Sequence, residues 1–253
     1  MKIDFHTHGK LSKKVDFSLD YFMNMVQAAK ENHLDAIALT EHFNTHRFSD
    51  VYDTLDDHFP YVDLYYEIEG LKVFTGMEVD INETGHILLI GKRADLLDFR
   101  KELEPYTEKG NFIPFQELLK RTANVDFLVI GAHPYRESTP LHQLPSDLLA
   151  KLDAFDLNGK DLYEKGIEEN CREVYALAEQ IGIPVVGGSD THQSLQYGAV
   201  VNILDVSCRT VRELKDAIRS GAYRVEISPQ LDEKVAAAKE LKKRLKEKME
   251  KVM

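Results

Sequence analysis

The sequence predicts a single-domain α/β protein with a mainly parallel sheet, and a closed (β/α) barrel fits its length well. Short apolar runs typical of strands alternate with helical stripes along the whole chain. The 253 residues suit one large domain, and we see no internal repeat, low-complexity linker or change of composition before about residue 230. An open, doubly wound sheet is the alternative architecture.

The strand predictions depend on short runs rich in apolar residues. In chain order they are 2–6, 34–39, 71–77, 86–90, 127–130, 154–157, 183–186, 199–203 and 223–227. Three helices are predicted between them. Ser18 can cap the first, a stripe closed by Gly182 marks the second at 167–181, and the third runs over 210–219 before Gly221.

The end of the chain differs in charge from the rest. Residues 234–253 hold eight basic and three acidic residues, a net charge of +5, whereas the first 233 residues carry −16. Apolar residues recur there at spacings of three and four, at Val235, Ala238, Leu241, Leu245, Met249 and Val252. We therefore expect a barrel domain over 1–230 and a basic amphipathic helix over 231–253, packed on the barrel wall or extending from it. A membrane-surface or dimerisation helix is the alternative.

Composition excludes several classes of protein. The net charge of −11 argues against broad electrostatic binding of nucleic acid or anionic membranes. The longest apolar runs are far short of the ~20 residues that cross a bilayer, and the first residues, MKIDFHTHGK, do not resemble a signal peptide. The two cysteines, Cys171 and Cys208, are too few for a disulfide framework. We expect a reduced, cytoplasmic protein.

Metal-ligating residue types follow nearly every strong strand. His6 and His8 come directly at the end of the first strand, and residues two apart on a strand point the same way. The ends of later strands carry Glu41 and His42, then Glu78 and Asp80, His133, and finally Asp190 and His192, while another strand begins at His86. In a parallel barrel these ends converge on one rim, so the sequence predicts a metal cluster there.

The donor set also indicates the chemistry. Mixed imidazoles and carboxylates suit zinc, manganese or iron better than calcium or magnesium. Several ions need a bridging carboxylate, and Glu78 is the natural candidate. A hydroxide held between two metals is a strong nucleophile near neutral pH, and the same ions can clamp phosphoryl oxygens.

In this order, the motifs DFHTH, TEH, GMEVDI with GHILLIG, GAHPYR and GGSDTHQ resemble those of the PHP (polymerase and histidinol phosphatase) family. The similarity runs from residue 2 to at least residue 203. It implies a distorted, TIM-like (β/α)7 barrel with two or three divalent metal ions, and free-standing members of the family are mostly metal-dependent phosphoesterases.

The resemblance implies a role for each matching position. His6, His8 and Asp190 would hold one metal with Glu78, which would bridge to a second metal completed by His86 and His133. His42 and His192 would hold a third metal. Asp4 would orient an imidazole, and Arg136 would bind phosphate, with a surface salt bridge as its other reading.

Two departures from the family pattern concern the third metal. Lys13 and Lys14 stand where the family usually has another ligand, and Asp16 is nearby but out of register. Glu41 replaces the aspartate of the family's usual TDH. The third site is therefore expected to be weak, empty or rebuilt, with His46 as a possible substitute ligand.

The leading functional prediction is a phosphoesterase in which a metal-bound hydroxide attacks phosphorus. The substrate would be a small phosphomonoester such as histidinol phosphate, or a nucleotide-type mono- or diester. The alternatives are a TatD-type nuclease or an amidohydrolase-like enzyme, and a metal-binding module without turnover. We expect no membrane partner, consider nucleic acid an improbable one, and leave oligomer formation open. Deletion of 234–253 is expected to leave hydrolysis largely unchanged.

Overall fold

The fold is built on one curled sheet. The computed structural model describes residues 1–250, with side chains through residue 248. The strands are β1 Lys2–Thr7, β2 Ala36–His42, β3 Tyr61–Val62, β4 Tyr65–Ile68, β5 Leu71–Ile81, β6 Gly85–Ile90, β7 Leu128–Ala132, β8 Ala154–Asn158, β9 Val185–Gly188, β10 Val200–Leu204 and β11 Tyr223–Ile227. The α-helices are α1 Leu19–Glu31, α2 Ser49–His58, α3 Arg93–Glu102, α4 Phe115–Thr122, α5 Ser146–Leu149, α6 Gly159–Lys165, α7 Ile167–Ile181, α8 Val211–Arg219 and α9 Leu231–Glu250. Short 3₁₀ turns lie at Glu104–Tyr106, Leu141–Gln143 and Ser194–Gln196.

The strand order confirms an α/β barrel that is nearly closed. It runs β11-β10-β1-β2-β5-β6-β7-β8-β9, with β3 and β4 attached to β5. The pairs β1–β2, β2–β5, β7–β8 and β8–β9 are parallel, as the sequence predicts for strands joined by crossovers. Strand β6 is antiparallel to both neighbours because a tight turn joins it to β5.

This reversed strand matters for the site. In the ladders, His86 at the start of β6 lies opposite Asp80 of β5 and Ala132 at the end of β7. The start of β6 therefore lies at the rim that carries the ends of its neighbours, and His86 joins the residues that follow the parallel strands.

The barrel closes between β1 and β9 at this same rim. The amide of Asp190 donates to the His6 carbonyl (2.8 Å), and the amide of His8 donates to the Thr191 carbonyl (2.9 Å). At the opposite end, the buried Asn202 of β10 bonds to backbone groups of both Ile3 and Gly187. Gly188 allows the close approach, since a Cβ there would lie 2.4 Å from the Cβ of His6.

Caps fix the ends of the three barrel helices predicted from the sequence. The Ser18 hydroxyl accepts from the Tyr21 amide at the start of α1, and Thr210 forms a capping box with Glu213 at the start of α8. Helix α7 ends at Gly182, whose φ of 81° is in the left-handed region. The buried stripe of α1 contains Phe22, Met25, Val26 and Ala29, and each larger side chain contributes about 1.5–3 kcal/mol of burial.

Helices α2–α6 and the β3–β4 pair were not predicted from the sequence. Helix α3 buries only Leu96 and Phe99 among charged residues, so its apolar period is weak. Strands β2 and β5 also extend further than predicted, through His42 and through Glu78 to Ile81. These site residues therefore lie within regular strands.

Helix α9 begins at Leu231 and lies across the rim that carries the predicted metal ligands. Leu231, Val235 and Ala238 are buried, and the helix contacts the turn at Ser194–Gln196 and helix α6. Val252, which the sequence analysis places on its apolar stripe, lies outside the described residues. None of the helices in residues 1–250 combines the length and apolarity needed to span a bilayer.

Candidate metal centre

All eight residues predicted as metal ligands lie together at this rim. They come from β1 and the loop after it, the end of β2, the middle of β5, the start of β6 and the loops after β7 and β9: His6, His8, His42, Glu78, His86, His133, Asp190 and His192. His133 and Asp190 have φ values of 32° and 56°. Such values are uncommon for residues with a Cβ and mark a backbone held in place by its surroundings.

The donor atoms fall into three groups, in each of which they lie within 4.8 Å of one another. The groups are His6, His8 and Asp190; Glu78, His86 and His133; and His8, His42 and His192. The first two match the ligand sets that the sequence analysis implies. The third also includes His8, whose ring stacks against His42 (4.5 Å between centroids) and His192 (4.1 Å).

Glu78 lies between these groups. Its Oε1 is 2.6 Å from His86 Nδ1, 3.3 Å from His133 Nε2 and 3.6 Å from His6 Nε2. Its Oε2 is 2.7 Å from His42 Nδ1 and 3.6 Å from His8 Nε2. Because the two oxygens face different sets of imidazoles, this carboxylate has the geometry of a bridge between two cations.

The two central carboxylates are held ionised. Burial raises the pKa of Glu78, but the charges of His86 and His6 outweigh burial and place it well below its usual value. Burial also raises the pKa of Asp190, and the Arg136 guanidinium and His6 outweigh it in the same way. Both side chains are therefore available as anionic ligands.

The imidazoles divide into two sets. Burial lowers the pKa of His42, His133 and His192, so these rings are neutral and able to ligate. Burial has the same effect on His86, but Glu78 and Asp80 outweigh it and raise its pKa to about 9. Neighbouring carboxylates likewise raise the pKa of His6 and His8. These three rings must lose a proton to bind a metal.

Several buried polar atoms at the centre have no hydrogen-bond partner among the described residues. They are His6 Nε2, both ring nitrogens of His8, His42 Nδ1 and Glu78 Oε2. An unsatisfied buried polar atom costs about 1–3 kcal/mol, so five of them in contact need an explanation. Divalent cations bound to four of these atoms would satisfy them, while the fifth, His8 Nδ1, faces Glu41 Oε1 at 3.8 Å. The donor set therefore fits a metal cluster.

The imidazoles are oriented by groups behind them. His6 Nδ1 donates to Asp156 Oδ2 (2.9 Å), His192 Nδ1 donates to the Lys10 carbonyl (2.9 Å), and His133 Nδ1 lies 3.2 Å from Thr139 Oγ1. In each case Nε2 is left to face the cluster. Such partners fix ring orientation and tautomer.

Asp156 is the residue that the sequence analysis missed. Asp4 was expected to orient an imidazole, but its Oδ1 instead accepts from the backbone amides of His6 (3.1 Å) and Ser189 (2.9 Å). Asp4 therefore joins β1 to the end of β9. Asp156 therefore orients the imidazole of His6, the role expected of Asp4. The only local signal for Asp156 in the sequence was a lone acidic residue inside a weak strand pattern.

Comparison with known proteins identifies the family of this chain. The family model described as the PHP domain matches residues 4–230. The chain belongs to the PHP domain family. No curated protein matches it significantly.

Solved structures share the fold of this PHP domain protein. PsfC from Pseudomonas syringae PB-5123 is 22% identical, with a TM-score of 0.77 over 96% of this chain and 98% of PsfC. Endonuclease Q from Pyrococcus furiosus is 21% identical, with a TM-score of 0.66 over 88% of this chain, which spans only 57% of the endonuclease. A complex of Endonuclease Q with a 27-mer duplex containing an abasic lesion is 22% identical, with a TM-score of 0.67.

Near the predicted third metal, the PHP domain protein carries a cation. The Lys13 ammonium lies 2.8 Å from Asp80 Oδ2, and Asp80 also accepts from His86 Nε2 (2.9 Å). His46, considered as a substitute ligand, is exposed, and its Nε2 lies 3.6 Å from Asp16 Oδ1. The structure therefore does not place His46 among the ligands. Glu41 is not at the cluster centre; its carboxylate accepts from the amides of Gly9, Lys10 and His42 and holds the loop after β1.

Arg136 lies in the wall of the site and is largely buried. Its Nε and Nη2 bond to Asp161, its Nη2 also bonds to Asn158 (2.9 Å), and Nη2 lies 2.8 Å from Asp190 Oδ2. The salt bridge considered as an alternative is present, but it lies within the wall of the site and not at the surface. Within the described chain, Nη1 makes no hydrogen bond, so this edge of the guanidinium is available to a ligand.

The PHP domain opens into a pocket of about 550 Å³ over the cluster. Predicted ligands, Arg136 and Lys160 form its floor and one wall. Helix α9 forms the other wall with Val235, Ala238, Lys239, Lys242, Lys243, Lys246 and Glu247. The sequence predicts the helix and its charge, but not its position at the mouth of the site.

Proposed function

We propose that this protein is a metal-dependent phosphoesterase that acts in the pocket beneath α9. The observation that carries the proposal is Glu78, whose two oxygens face separate groups of imidazoles at the centre of the cluster. Divalent ions bound there would act as Lewis acids toward a phosphoryl oxygen and would lower the pKa of bound water. Membership of the PHP family supports this reading.

The chain's own residues would bind and orient the substrate. Arg136 lines the pocket with its guanidinium fixed by Asp161, Asn158 and Asp190, so its free Nη1 would bind a phosphate oxygen without further ordering. Lys160 lines the same wall. Helix α9 covers one side of the pocket and restricts access of bulk water to it.

We propose two bound ions and a weak or empty third site. The groups that share Glu78 use His6, His8 and Asp190 on one side and His86 and His133 on the other. The third group depends on His8, which the first group also uses. The Lys13 ammonium, held by Asp80, adds a positive charge that lowers the pKa of His42 and opposes a further cation in this group. The imidazole-rich donor set favours zinc, manganese or iron.

The test is hydrolysis by the metal-reconstituted protein. Substrates should include small phosphomonoesters, bis(4-nitrophenyl) phosphate and a DNA duplex with an abasic lesion, with and without chelator. We expect chelator-sensitive release of phosphate from at least one phosphomonoester, and loss of more than about a hundredfold in Glu78→Ala. Glu67→Ala, an exposed acid on β4, is the matched control and should retain activity.

Each other outcome selects a different function. Cleavage of the duplex alone would favour a nuclease over a small-molecule phosphoesterase. If no phosphoester is turned over while metals are bound, the proposal is wrong. Amide or lactone hydrolysis, or a metal-binding role without turnover, would then be the next candidates.

A further inference from the structure

One face of α9 changes from apolar to basic where the helix crosses the pocket. Leu231, Val235 and Ala238 lie on one stripe of the helix and are buried against the barrel. At the next positions of this stripe the sequence has Lys242 and Lys246, and both line the pocket. Residues four apart lie on the same helix face, so the surface that anchors the helix continues as a row of ammonium groups.

Most of these cations are not neutralised by the protein. Of the basic side chains that line the pocket, Lys239 pairs with Glu164 (3.0 Å) and Arg136 pairs with Asp161 and Asp190. For the other four, Lys160, Lys242, Lys243 and Lys246, no carboxylate oxygen of the described side chains lies within ion-pair distance. The acid Glu247 also lines the pocket, but as a single exposed charge at its edge.

Lys242 is the cation that faces the cluster. Its ammonium is partly buried, which lowers its pKa to about 8, while the charge of Asp190 acts in the opposite direction. The same ammonium also lowers the pKa of His192. Metal ions bound at the cluster would repel this cation, unless an anion lay between the ions and the helix.

The number of cations exceeds what one phosphate needs. Two divalent ions and Arg136 suffice to hold a single phosphoryl group. Lys160, Lys242 and Lys243 would then remain as unpaired charges along the mouth. The pocket volume of about 550 Å³ accommodates a small molecule. The first 233 residues carry −16 overall, so the lysines of α9 at the pocket contrast with the acidic charge of the rest of the chain.

We propose that Lys160, Lys242 and Lys243 form a second anion-binding subsite, and that the substrate is a small phosphoester bearing a second phosphate group. The inference rests on the proposed phosphoesterase function, because the first phosphate would lie at the metal cluster. The second phosphate would lie under α9, between the lysines of this helix and Lys160. The helix is then a substrate-specificity element, and deletion of 234–253 removes that selectivity.

The test compares matched substrates that differ only in the second phosphate. Alkane-1,n-diol bisphosphates of three to eight carbons are assayed against the corresponding monophosphates, using the manganese-loaded holoenzyme. We expect the bisphosphate to exceed the monophosphate in kcat/KM by about tenfold or more at the best chain length. This preference should decrease as the salt concentration rises.

Substitution then locates the subsite. In Lys242→Gln the ratio of the two kcat/KM values should fall toward one, and Lys242→Arg should restore it, which separates loss of charge from loss of folding. Lys248→Gln, on the same helix but outside the pocket lining, is the matched control and should keep the wild-type ratio. A ratio near one in the wild type, or an unchanged ratio in Lys242→Gln, would overturn the subsite.

Failure of the parent proposal gives a different result. If the metal-loaded protein hydrolyses neither ester, the phosphoesterase function is wrong, and calorimetry with propane-1,3-diol bisphosphate tests the subsite alone. Binding at least about tenfold tighter than that of the monophosphate, lost in Lys242→Gln, would support it. Equal binding of the two esters would refute it.

Discussion

Asp156→Asn tests whether the cluster depends on the carboxylate behind His6. Asp156 is buried, and its Oδ2 accepts from His6 Nδ1 (2.9 Å) and from Asn158 Nδ2 (3.0 Å). An asparagine keeps an acceptor for His6 but removes the negative charge that makes the ring a better ligand. Loss of such a partner typically weakens metal binding about 10- to 100-fold, which is about 1.4–2.7 kcal/mol.

We expect the loss of metal affinity to be near the lower limit of this range in Asp156→Asn and near the upper limit in Asp156→Leu, because leucine also removes the hydrogen-bond acceptor. The assay is a titration of metal-free protein with zinc in competition with a chelating dye. Asp153→Asn is the matched control: it precedes the same strand, but pairs with Lys215 and Arg219 at the other end of β8. It should lower Tm without weakening metal binding. Wild-type affinity in both Asp156 variants would refute the role of this carboxylate.

Three further predictions concern the same centre. Glu78→Ala should release more than one metal equivalent, measured by mass spectrometry of dialysed protein, and loss of a single equivalent or none would contradict the bridge. Arg136→Ala should raise KM for phosphomonoesters more than it lowers kcat, and steady-state kinetics that match the wild type would remove Arg136 from the site. In the metal-free protein, the pKa of His86 rises from 6.5 to about 9 on folding, so protonation of His86 stabilises the fold fully below pH 6.5. As pH rises through 9, this stabilisation, at most about 3 kcal/mol, should be lost. Urea unfolding with chelator present measures the free energy of unfolding, and a value that does not fall over this pH range would exclude the effect.

The predicted ligands could be found from the sequence because each of them ends, closely follows or begins a strand predicted from an apolar run. A strand end is a local feature, and the barrel topology then brings such ends together at one rim. His86 was found in the same way, since the tight turn after β5 places the start of β6 beside the end of β5. The fold class and the core of the site were therefore predictable from local patterns.

The parts that could not be predicted depend on contacts between distant elements. Asp156 meets His6 across a separation of 150 residues, and nothing near Asp156 in the sequence signals that partner. The apolar spacing in 231–250 predicts which face of α9 is buried, but not the surface it packs against. From the sequence alone, the lysines of α9 are therefore interpreted as a solvent-exposed face, whereas in the structure they line the pocket.

The closure of the barrel has a consequence for the order in which the site is assembled. The backbone bonds that join His6 to Asp190 and His8 to Thr191 connect the first barrel strand to the last parallel one, so the proposed ligands lie on both sides of a seam. A nascent chain that ends before β9 lacks one side of that seam and cannot complete the cluster. Retention of metal therefore indicates that the barrel has closed. Bound ions would also crosslink the first ten residues to a segment that is synthesised some 180 residues later.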